Sequence, residues 1–379
     1  MKNVIIIKYG ELWLKSEPVR KRFVKRLAEN ISRMLKADKV TNFKLIRLRD
    51  MLILETKSKK AIEVLKRVFG ISWFGKAEET EPDMKSIEKA ALGIAERIKP
   101  DETFAIRASR SDKSAKFTSK CIEERIGGKI ERKVNLSDPD FTIFIEIKKE
   151  KAYVYPEKIK GLGGLPYGVS GRVLSLISGG FDSPVASWLM MKRGCEVNFV
   201  YFHPEVFTGR KTLEKVKETV KKLGEYSPGS VNFYAVPFSE IQTSVIEKCE
   251  RRMTCVLCRR SMYRTAQTLA SKIGGKALVT GENLAQVASQ TLDNLFVESD
   301  VLEIPIFRPL IGMDKEEVIV LSKKIGTHDL SIGMGCCSLS PKKPSTKARL
   351  NNILAEEKRI KELDKLIRKA VENSERMVV

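Results

Sequence analysis

The sequence predicts an α/β protein, with a doubly wound parallel sheet in the C-terminal part and two smaller α+β units before it. Three observations carry that expectation. From Arg172 to about Thr327, short apolar runs alternate with segments of helical spacing, the pattern of parallel strands joined by crossover helices. Residues 1–70 run strand, helix, strand, strand, helix. Between the two patterns lies Gly161-Leu162-Gly163-Gly164-Leu165-Pro166-Tyr167-Gly168, too rich in glycine for a stable helix or strand. The expected domains are therefore residues 1–70, 71–168 and 169–379.

In the first unit Val4–Tyr9 is an apolar strand, and Phe23, Leu27, Ile31 and Leu35 recur at helical spacing between Pro18 and Leu35. Phe43–Leu48 and Met51–Leu54 form a hairpin around Arg49-Asp50, and Ala61–Val68 is a second helix, which together suggest a ferredoxin-like unit. The outer face of its first helix carries Arg20, Lys21, Arg22, Lys25 and Arg26. In the second unit Met84–Ile98 is a helix with Ile87, Ala90, Ala91, Ile94 and Ile98 on one side. Thr103–Ala108 is a strand bearing Arg107, with Arg110 just beyond it. Lys116–Ile126 is a helix, and Phe141–Ile147 with Ala152–Tyr155 is a strand pair. The glycine-rich segment that follows is a hinge, a plain linker, or a place where backbone comes close to a ligand.

In the third unit the strands are Val173–Ile177, Val197–Phe202, Val231–Val236 and Ala277–Thr280. The helices are Pro184–Lys192, Thr212–Leu223, Glu240–Glu250 and Arg259–Ile273. Beyond Thr346 a charged amphipathic helix is expected, with Ile353, Leu354, Ile360, Leu363 and Ile367 on its apolar side. Ligands of doubly wound sheets lie beyond the carboxyl ends of the strands, which here means Ser178, Tyr201-Phe202-His203 and Gly281-Glu282-Asn283.

Lysine and arginine outnumber aspartate and glutamate by 70 to 48, a formal charge of +22. The excess is concentrated: residues 1–70 hold 19 basic and 7 acidic side chains, a net of +12. A surplus of that size predicts a polyanionic partner, against the alternative of a solvated, heat-adapted surface, which would balance its signs. No apolar run reaches membrane-spanning length, and Asn3–Ile7 is too short for a secretory leader, so the expectation is a soluble cytoplasmic protein with no membrane partner. Seven cysteines in such a chain argue against a disulfide framework. Cys121, Cys195 and Cys249 stand alone, whereas Cys255 and Cys258 form a C-x-x-C and Cys336-Cys337 are adjacent.

The densest chemical signal is Ser178-Gly179-Gly180-Phe181-Asp182-Ser183-Pro184. Two glycines between a buried strand and a helix start let backbone N–H groups converge, and the new helix adds unpaired donors and its positive dipole end. Ser178 and Ser183 supply hydroxyls, and Asp182 makes sense among anion-binding groups if it holds a Mg2+ ion bridging phosphates. The competing reading is a glycine turn with Asp182 or Ser183 as a helix cap. The loop has neither the lysine of a Walker motif nor the third glycine of a dinucleotide fingerprint, but it matches SGG-x-DS, the pyrophosphate loop of ATP pyrophosphatases.

Together the motifs resemble the tRNA 4-thiouridine synthetase (tRNA sulfurtransferase) family over nearly the whole chain. Tyr9-Gly10-Glu11-Leu12-Trp13-Leu14-Lys15 is similar to the start of that family's ferredoxin-like domain. The middle unit, ending in GLGGLPYG, is similar to the RNA-binding THUMP domain, and SGGFDSP to the start of its PP-loop ATP pyrophosphatase domain. The resemblance implies adenylation of uridine at position 8 of tRNA and replacement of its 4-oxygen by sulfur. It also implies thiocarboxylation of a sulfur-carrier protein for the thiazole of thiamine, and a homodimer. Carried over by motif, the ATP site comprises Leu176, Ile177, Ser178, Gly179, Gly180, Asp182, Ser183, Tyr201, Phe202, Arg259, Gly281 and Gln290. Lys315 matches a lysine the family needs for activity, and Cys337 its sulfur-handling cysteine. Read without the resemblance, Tyr201 and Phe202 fit a strand-end core equally well, and Lys315 an ordinary first helical turn. Arg259 at a helix start is disfavoured by the dipole, which points to a phosphate partner.

Many relatives carry a C-terminal rhodanese domain for sulfur transfer, and here a charged helix follows instead. The sulfur donor is then a persulfide carrier or sulfide. Cys255 and Cys258 with Cys337 could hold an iron–sulfur cluster; a zinc site and a redox pair are the other readings. Outside this family, a PP-loop ligase that amidates tRNA or a small molecule would need no paired cysteines.

Overall fold

The computed structural model describes residues 2–110, 117–203, 210–331 and 341–379. They form two compact units, one up to Gly164 and one from Leu165.

The first unit contains β1 (Lys2–Tyr9), α1 (Glu17–Ala37), β2 (Phe43–Arg47), β3 (Leu52–Thr56), α2 (Lys60–Leu65) and β4 (Ile71–Thr80). It continues with α3 (Met84–Ala95), β5 (Phe104–Arg110), α4 (Ser119–Gly127), β6 (Phe141–Ile147), β7 (Ala152–Tyr155) and β8 (Ile159–Lys160). One sheet runs in the order β2-β3-β1-β4-β7-β6-β5, with β8 added to β4. Only β5 and β6 pair in parallel. The sequence reading missed the central strand, β4, and the short β8 that pairs with it. Lys76, Glu78 and Glu79 interrupt the apolar alternation of β4, yet it pairs with β1 along its length and with β7 at its end.

Val4, Ile6, Ile53, Tyr153 and Tyr155 form one buried cluster on this sheet, and Leu27, Ile31 and Leu35 of α1 are fully buried as well. Ile87, Ile94, Phe104, Ile122 and Ile143 form the other cluster. Each such side chain contributes about 1.5–3 kcal/mol by leaving water. Helix α3 starts at Asp83, whose carboxylate accepts from Ser86 N at 3.0 Å. Helix α4 starts at Thr118, whose hydroxyl accepts from Cys121 N at 3.1 Å, so it begins later than the expected Lys116. A half-buried charge cluster also ties distant strands: Lys8 on β1 bonds Asp50 at 2.8 Å, and Lys148 bonds Asp50 at 2.5 Å and Glu146 of β6 at 2.6 Å.

The glycine-rich segment packs against β4. Gly161 N donates to Ser72 O at 2.9 Å, and Gly163 N to Ile71 O at 2.7 Å. A Cβ on Gly161 would lie 2.3 Å from Ile71 O, so the close approach that requires glycine is to the strand backbone.

The second unit contains β9 (Arg172–Leu176), α5 (Asp182–Lys192), β10 (Glu196–His203), α6 (Arg210–Gly224), β11 (Asn232–Pro237), α7 (Ser239–Lys248) and α8 (Thr254–Ile273). Then come β12 (Leu278–Val279), α9 (Leu292–Ser299), β13 (Ile306–Phe307), α10 (Lys315–Ile325) and α11 (His328–Ser331). The chain closes with α12 (Leu350–Glu357), α13 (Leu363–Glu372) and β14 (Glu375–Val378). The sheet order is β13-β12-β9-β10-β11-β14. The first five strands are parallel, as expected, and β14 adds an antiparallel edge.

The C-terminal segment corrects the expectation of one amphipathic helix. Ile360 turns into the core between α12 and α13, the chain ends as a strand on β11, and Leu354 is left 37 % exposed. Ile353, Ile360, Leu363 and Ile367 do cover the core, as their spacing implied. Helix α8 likewise starts five residues before Arg259, which removes the helix-dipole argument for that arginine.

Gly161→Ala should destabilise the first unit by about 1–3 kcal/mol, because the added methyl has only backbone to displace. Urea unfolding followed by circular dichroism, with Gly93→Ala in open space as control, checks this.

Candidate functional site

The loop from Ser178 to Ser183 leaves the carboxyl end of β9 and enters α5. It is knotted by its own serines. Ser178 N donates to Ser183 Oγ at 2.8 Å, and the two hydroxyls share a 2.9 Å hydrogen bond. Gly180 N faces Ser178 Oγ at 3.4 Å. The serines therefore shape the loop, and the backbone amides are left to define its concave side. A Cβ on Gly281 would sit 2.5 Å from Ser183 N, so the strand end after β12 lies directly on the first turn of α5.

Asp182 opens α5. Its Oδ2 accepts from Gln286 Nε2 at 3.1 Å and lies 4.0 Å from Lys315 Nζ. Its Oδ1 is buried and has no hydrogen-bond partner among the described residues. Lys315 is indeed a first-turn residue, on a helix closed by the Asp314–Glu317 capping box. Its ammonium also stands 4.5 Å from the Phe181 ring, which aims it at the loop. An orphaned carboxylate oxygen beside a lysine and a set of amides suits a divalent cation carried by phosphates.

Behind the loop lies a buried charge cluster. Glu282 accepts from Tyr263 OH at 2.5 Å, Arg259 Nη1 at 2.6 Å, Arg308 Nε at 2.5 Å and Thr280 Oγ1 at 2.9 Å. Burial would raise the Glu282 carboxyl, but Arg259 and Arg308 bring it below its ordinary value. Glu298 is fully buried, 3.5 Å from Arg259, with neither oxygen hydrogen-bonded among the described residues. Burial pushes its carboxyl up to about 8 despite the arginine.

The remaining expected residues divide. Ile177 is buried, and its N–H bonds Val200 O at 2.9 Å; Leu176 is half-buried against the same core. Phe202 packs edge-on to Phe238, 4.9 Å between centroids, as a core residue, while Tyr201 on the other face of β10 lies 5.9 Å from the His203 ring. Gln290 is buried, and its side-chain oxygen accepts from Asn283 N at 3.4 Å, which braces the loop after Gly281. Cys255 and Cys258 lie on one face of α8, a turn apart. Cys336 and Cys337 lie outside the described residues, among which no group of three His, Cys, Asp or Glu side chains is placed to hold a metal.

In the first unit, Arg20, Lys21, Arg22 and Lys25 of α1 face Arg47 and Arg49 of the β2–β3 hairpin across a cavity of about 670 Å3. Arg20 also stacks over Trp13 at 5.1 Å. Arg26 pairs with Glu29 at 3.9 Å, outside that lining. Arg107 donates to Leu136 O, and Arg110 to Phe117 O at 2.6 Å, so both are engaged with local backbone.

Residues 168–362 match the family described as thiamine biosynthesis protein (ThiI), residues 4–75 the ThiI ferredoxin-like domain, and residues 81–157 the THUMP domain. A probable tRNA sulfurtransferase of Caldanaerobacter subterraneus is 41 % identical, with 94 % of this chain and 96 % of that protein aligned. The chain belongs to the ThiI family. A Methanosarcina mazei member, also named probable tRNA sulfurtransferase, is 38 % identical over 94 % of this chain and 91 % of that one. A crystal structure of a 4-thiouridine synthetase–RNA complex with bound ATP superimposes over 100 % of both chains at a TM-score of 0.91 and 30 % identity. PH1313 from Pyrococcus horikoshii matches 86 % of this chain and 99 % of that one at a TM-score of 0.67 and 29 % identity.

In this ThiI-family chain the fold thus brings Ser178, Asp182, Ser183, Gly281 and Lys315 to one place. Sequence reasoning placed Glu282 only at a strand end and missed Gln286, Glu298 and Arg308, of which Arg308 alone, between Phe307 and Pro309, stood out as an isolated charge. It also missed Arg47 and Arg49, which the hairpin turns toward α1.

Glu298→Gln should stabilise the protein at pH 8 and change it little at pH 4. The wild-type carboxyl is neutral when folded below about 8 and ionises near its ordinary value when unfolded, so native stability falls as pH rises from about 4.5 to 8. Thermal melts of both forms across that range check the sign.

Proposed function

We propose that this protein is an ATP-dependent tRNA sulfurtransferase that forms 4-thiouridine at position 8. The observation that carries the reading is the pairing of a knotted SGG-x-DS loop, with Asp182 and Lys315 converging on it, with a strongly basic α+β unit in one chain. The similarity to the ATP-bound synthetase–RNA complex supports it over the full length.

The loop amides and the first turn of α5 receive the triphosphate. Asp182 Oδ1 would hold Mg2+, which supplies charge neutralisation between phosphate oxygens. Lys315 stabilises charge on the oxygens of the α-phosphate. The uridine 4-oxygen attacks that phosphorus, the α–β bond breaks and pyrophosphate leaves. A sulfur nucleophile then adds at C4 and AMP departs with the former 4-oxygen. Cys255, Cys258 and Cys337 are the sulfur-handling thiols of this reading, with a persulfide carrier or sulfide as donor. Two of them, Cys255 and Cys258, share a helix face, as a pair of iron–sulfur cluster ligands would. The same adenylation, applied to a carrier protein's C-terminal carboxylate, would serve thiazole synthesis.

The cavity between α1 and the hairpin takes RNA phosphates, since A-form RNA presents its backbone and hides its major groove. The target base has to leave its stack to meet the ATP.

Two experiments test this. Asp182→Asn should lower tRNA-dependent pyrophosphate release by about 100-fold or more while tRNA affinity stays near wild type. An active variant would sink the loop assignment. Arg20→Glu combined with Arg22→Glu should weaken tRNA binding and reduce its salt slope by about 1 per lost phosphate contact, read by filter binding across a salt series. An unchanged slope would remove the cavity from the RNA path.

A further inference from the structure

We propose that Glu282 is a positioning residue that fixes Arg259 for contact with the nucleotide's phosphates. The inference rests on the reading of Arg259 as a nucleotide residue and adds the group that makes it one.

The chain path explains why residue 282 can act there. Gly281 lies against the Asp182–Ser183 peptide, so close that a Cβ would be 2.7 Å from Asp182 C. The next residue therefore starts from a point set by the phosphate loop itself. Its side chain is 5 % exposed and turns inward. Each of its oxygens receives two donors: Oε1 from Tyr263 and Arg259, Oε2 from Thr280 and Arg308. A carboxylate held by four donors cannot rotate freely, and it fixes the Nη1 corner of Arg259.

The charges of the cluster show that this is more than an internal ion pair. Two guanidiniums, Arg259 and Arg308, meet two carboxyls, Glu282 and Glu298. Glu298 is fully buried beside Arg259 without a hydrogen bond of its own among the described residues, and burial holds it largely neutral at pH 7. Among the described residues, one positive charge of the cluster is then left without a counterion inside it. Leaving a charge uncompensated in such surroundings is costly unless an anion completes the site. Both carboxyls reach Arg259 at the same nitrogen, Nη1, and the side chain keeps a quarter of its surface exposed (25 %). Arg259 is thus held at one corner and keeps part of its surface exposed, on a carboxylate one residue from the contact of Gly281 with the Asp182–Ser183 peptide. Arg260, one residue on, is the contrast: it is 1 % exposed and spent on Glu357 at 2.8 and 3.0 Å.

The test is a double-mutant cycle with Glu282→Gln, Arg259→Ala and the pair, read as KM for ATP in tRNA-dependent pyrophosphate release. Glu282→Gln keeps the shape but offers an amide to one of the guanidiniums. It should raise KM for ATP about tenfold or more with a smaller change in kcat, and add little on the Arg259→Ala background. Equal rises on both backgrounds, or no rise in the single variant, would overturn the positioning role. An unchanged KM in Arg259→Ala would overturn the reading of Arg259 itself, and with it the inference. If Glu282→Gln does not fold, Glu282→Asp carries the same cycle: it keeps the charge but pulls it back by one methylene. A KM rise that disappears without Arg259 supports the proposal, and one that persists refutes it.

Discussion

The second unit is organised around the contact of Gly281 with the first turn of α5. The two backbones meet at a separation that admits no side chain. That contact joins the strand end after β12 to the SGG-x-DS loop, so everything attached to either segment is placed relative to the other. Asp182 then meets Gln286, five residues past Gly281, and Glu282 is delivered into the cluster with Arg259. The hydroxyl knot between Ser178 and Ser183 closes the loop from the inside. A parallel sheet gathers such loops at its carboxyl edge because every crossover returns the chain to the same end.

The first unit applies a different constraint. Its sheet is continuous through β4, whose partners β1, β7 and β8 belong to segments far apart in sequence. The lysine and carboxylate cluster of Lys8, Asp50, Glu146 and Lys148 ties β1 to the β2–β3 turn and to the end of β6 through half-buried charge. A rigid platform of this kind suits recognition of RNA by backbone charge and shape, where cations must hold their spacing. The six basic side chains around the cavity come from one helix and one hairpin, and neither element could form the cavity alone.

Charge is used in opposite ways in the two places. Around the cavity of the first unit the cations are largely solvent-facing, and salt screens them. In the Arg259 cluster the charges are buried, and desolvation decides which carboxyl ionises: Glu282, with four donors, keeps its charge, while Glu298, with none among the described residues, gives it up. Two glutamates of the same composition thus differ because of their partners.

Much of the fold was legible in the sequence, because buried parallel strands and amphipathic helices announce themselves by period. The SGG-x-DS loop was legible because glycine and small hydroxyls at a strand-to-helix junction have few other uses. Strand β4 was not, since its mid-strand charges are tolerated only by its tertiary pairing. The C-terminal break at Ile360 was hidden because both helices share one apolar stripe. For Phe202 the sequence left an ATP-site and a strand-end core reading open, and only the fold showed that it sits on the face of β10 that meets Phe238. By itself, then, the sequence determined the alternation of elements, the SGG-x-DS loop at a strand-to-helix junction and the basic character of the N-terminal region, all of which depend on local spacing and composition. Only the tertiary structure decided which carboxylate holds which arginine, where Lys315 points and which cations face one another, because those depend on backbones brought together from distant parts of the chain.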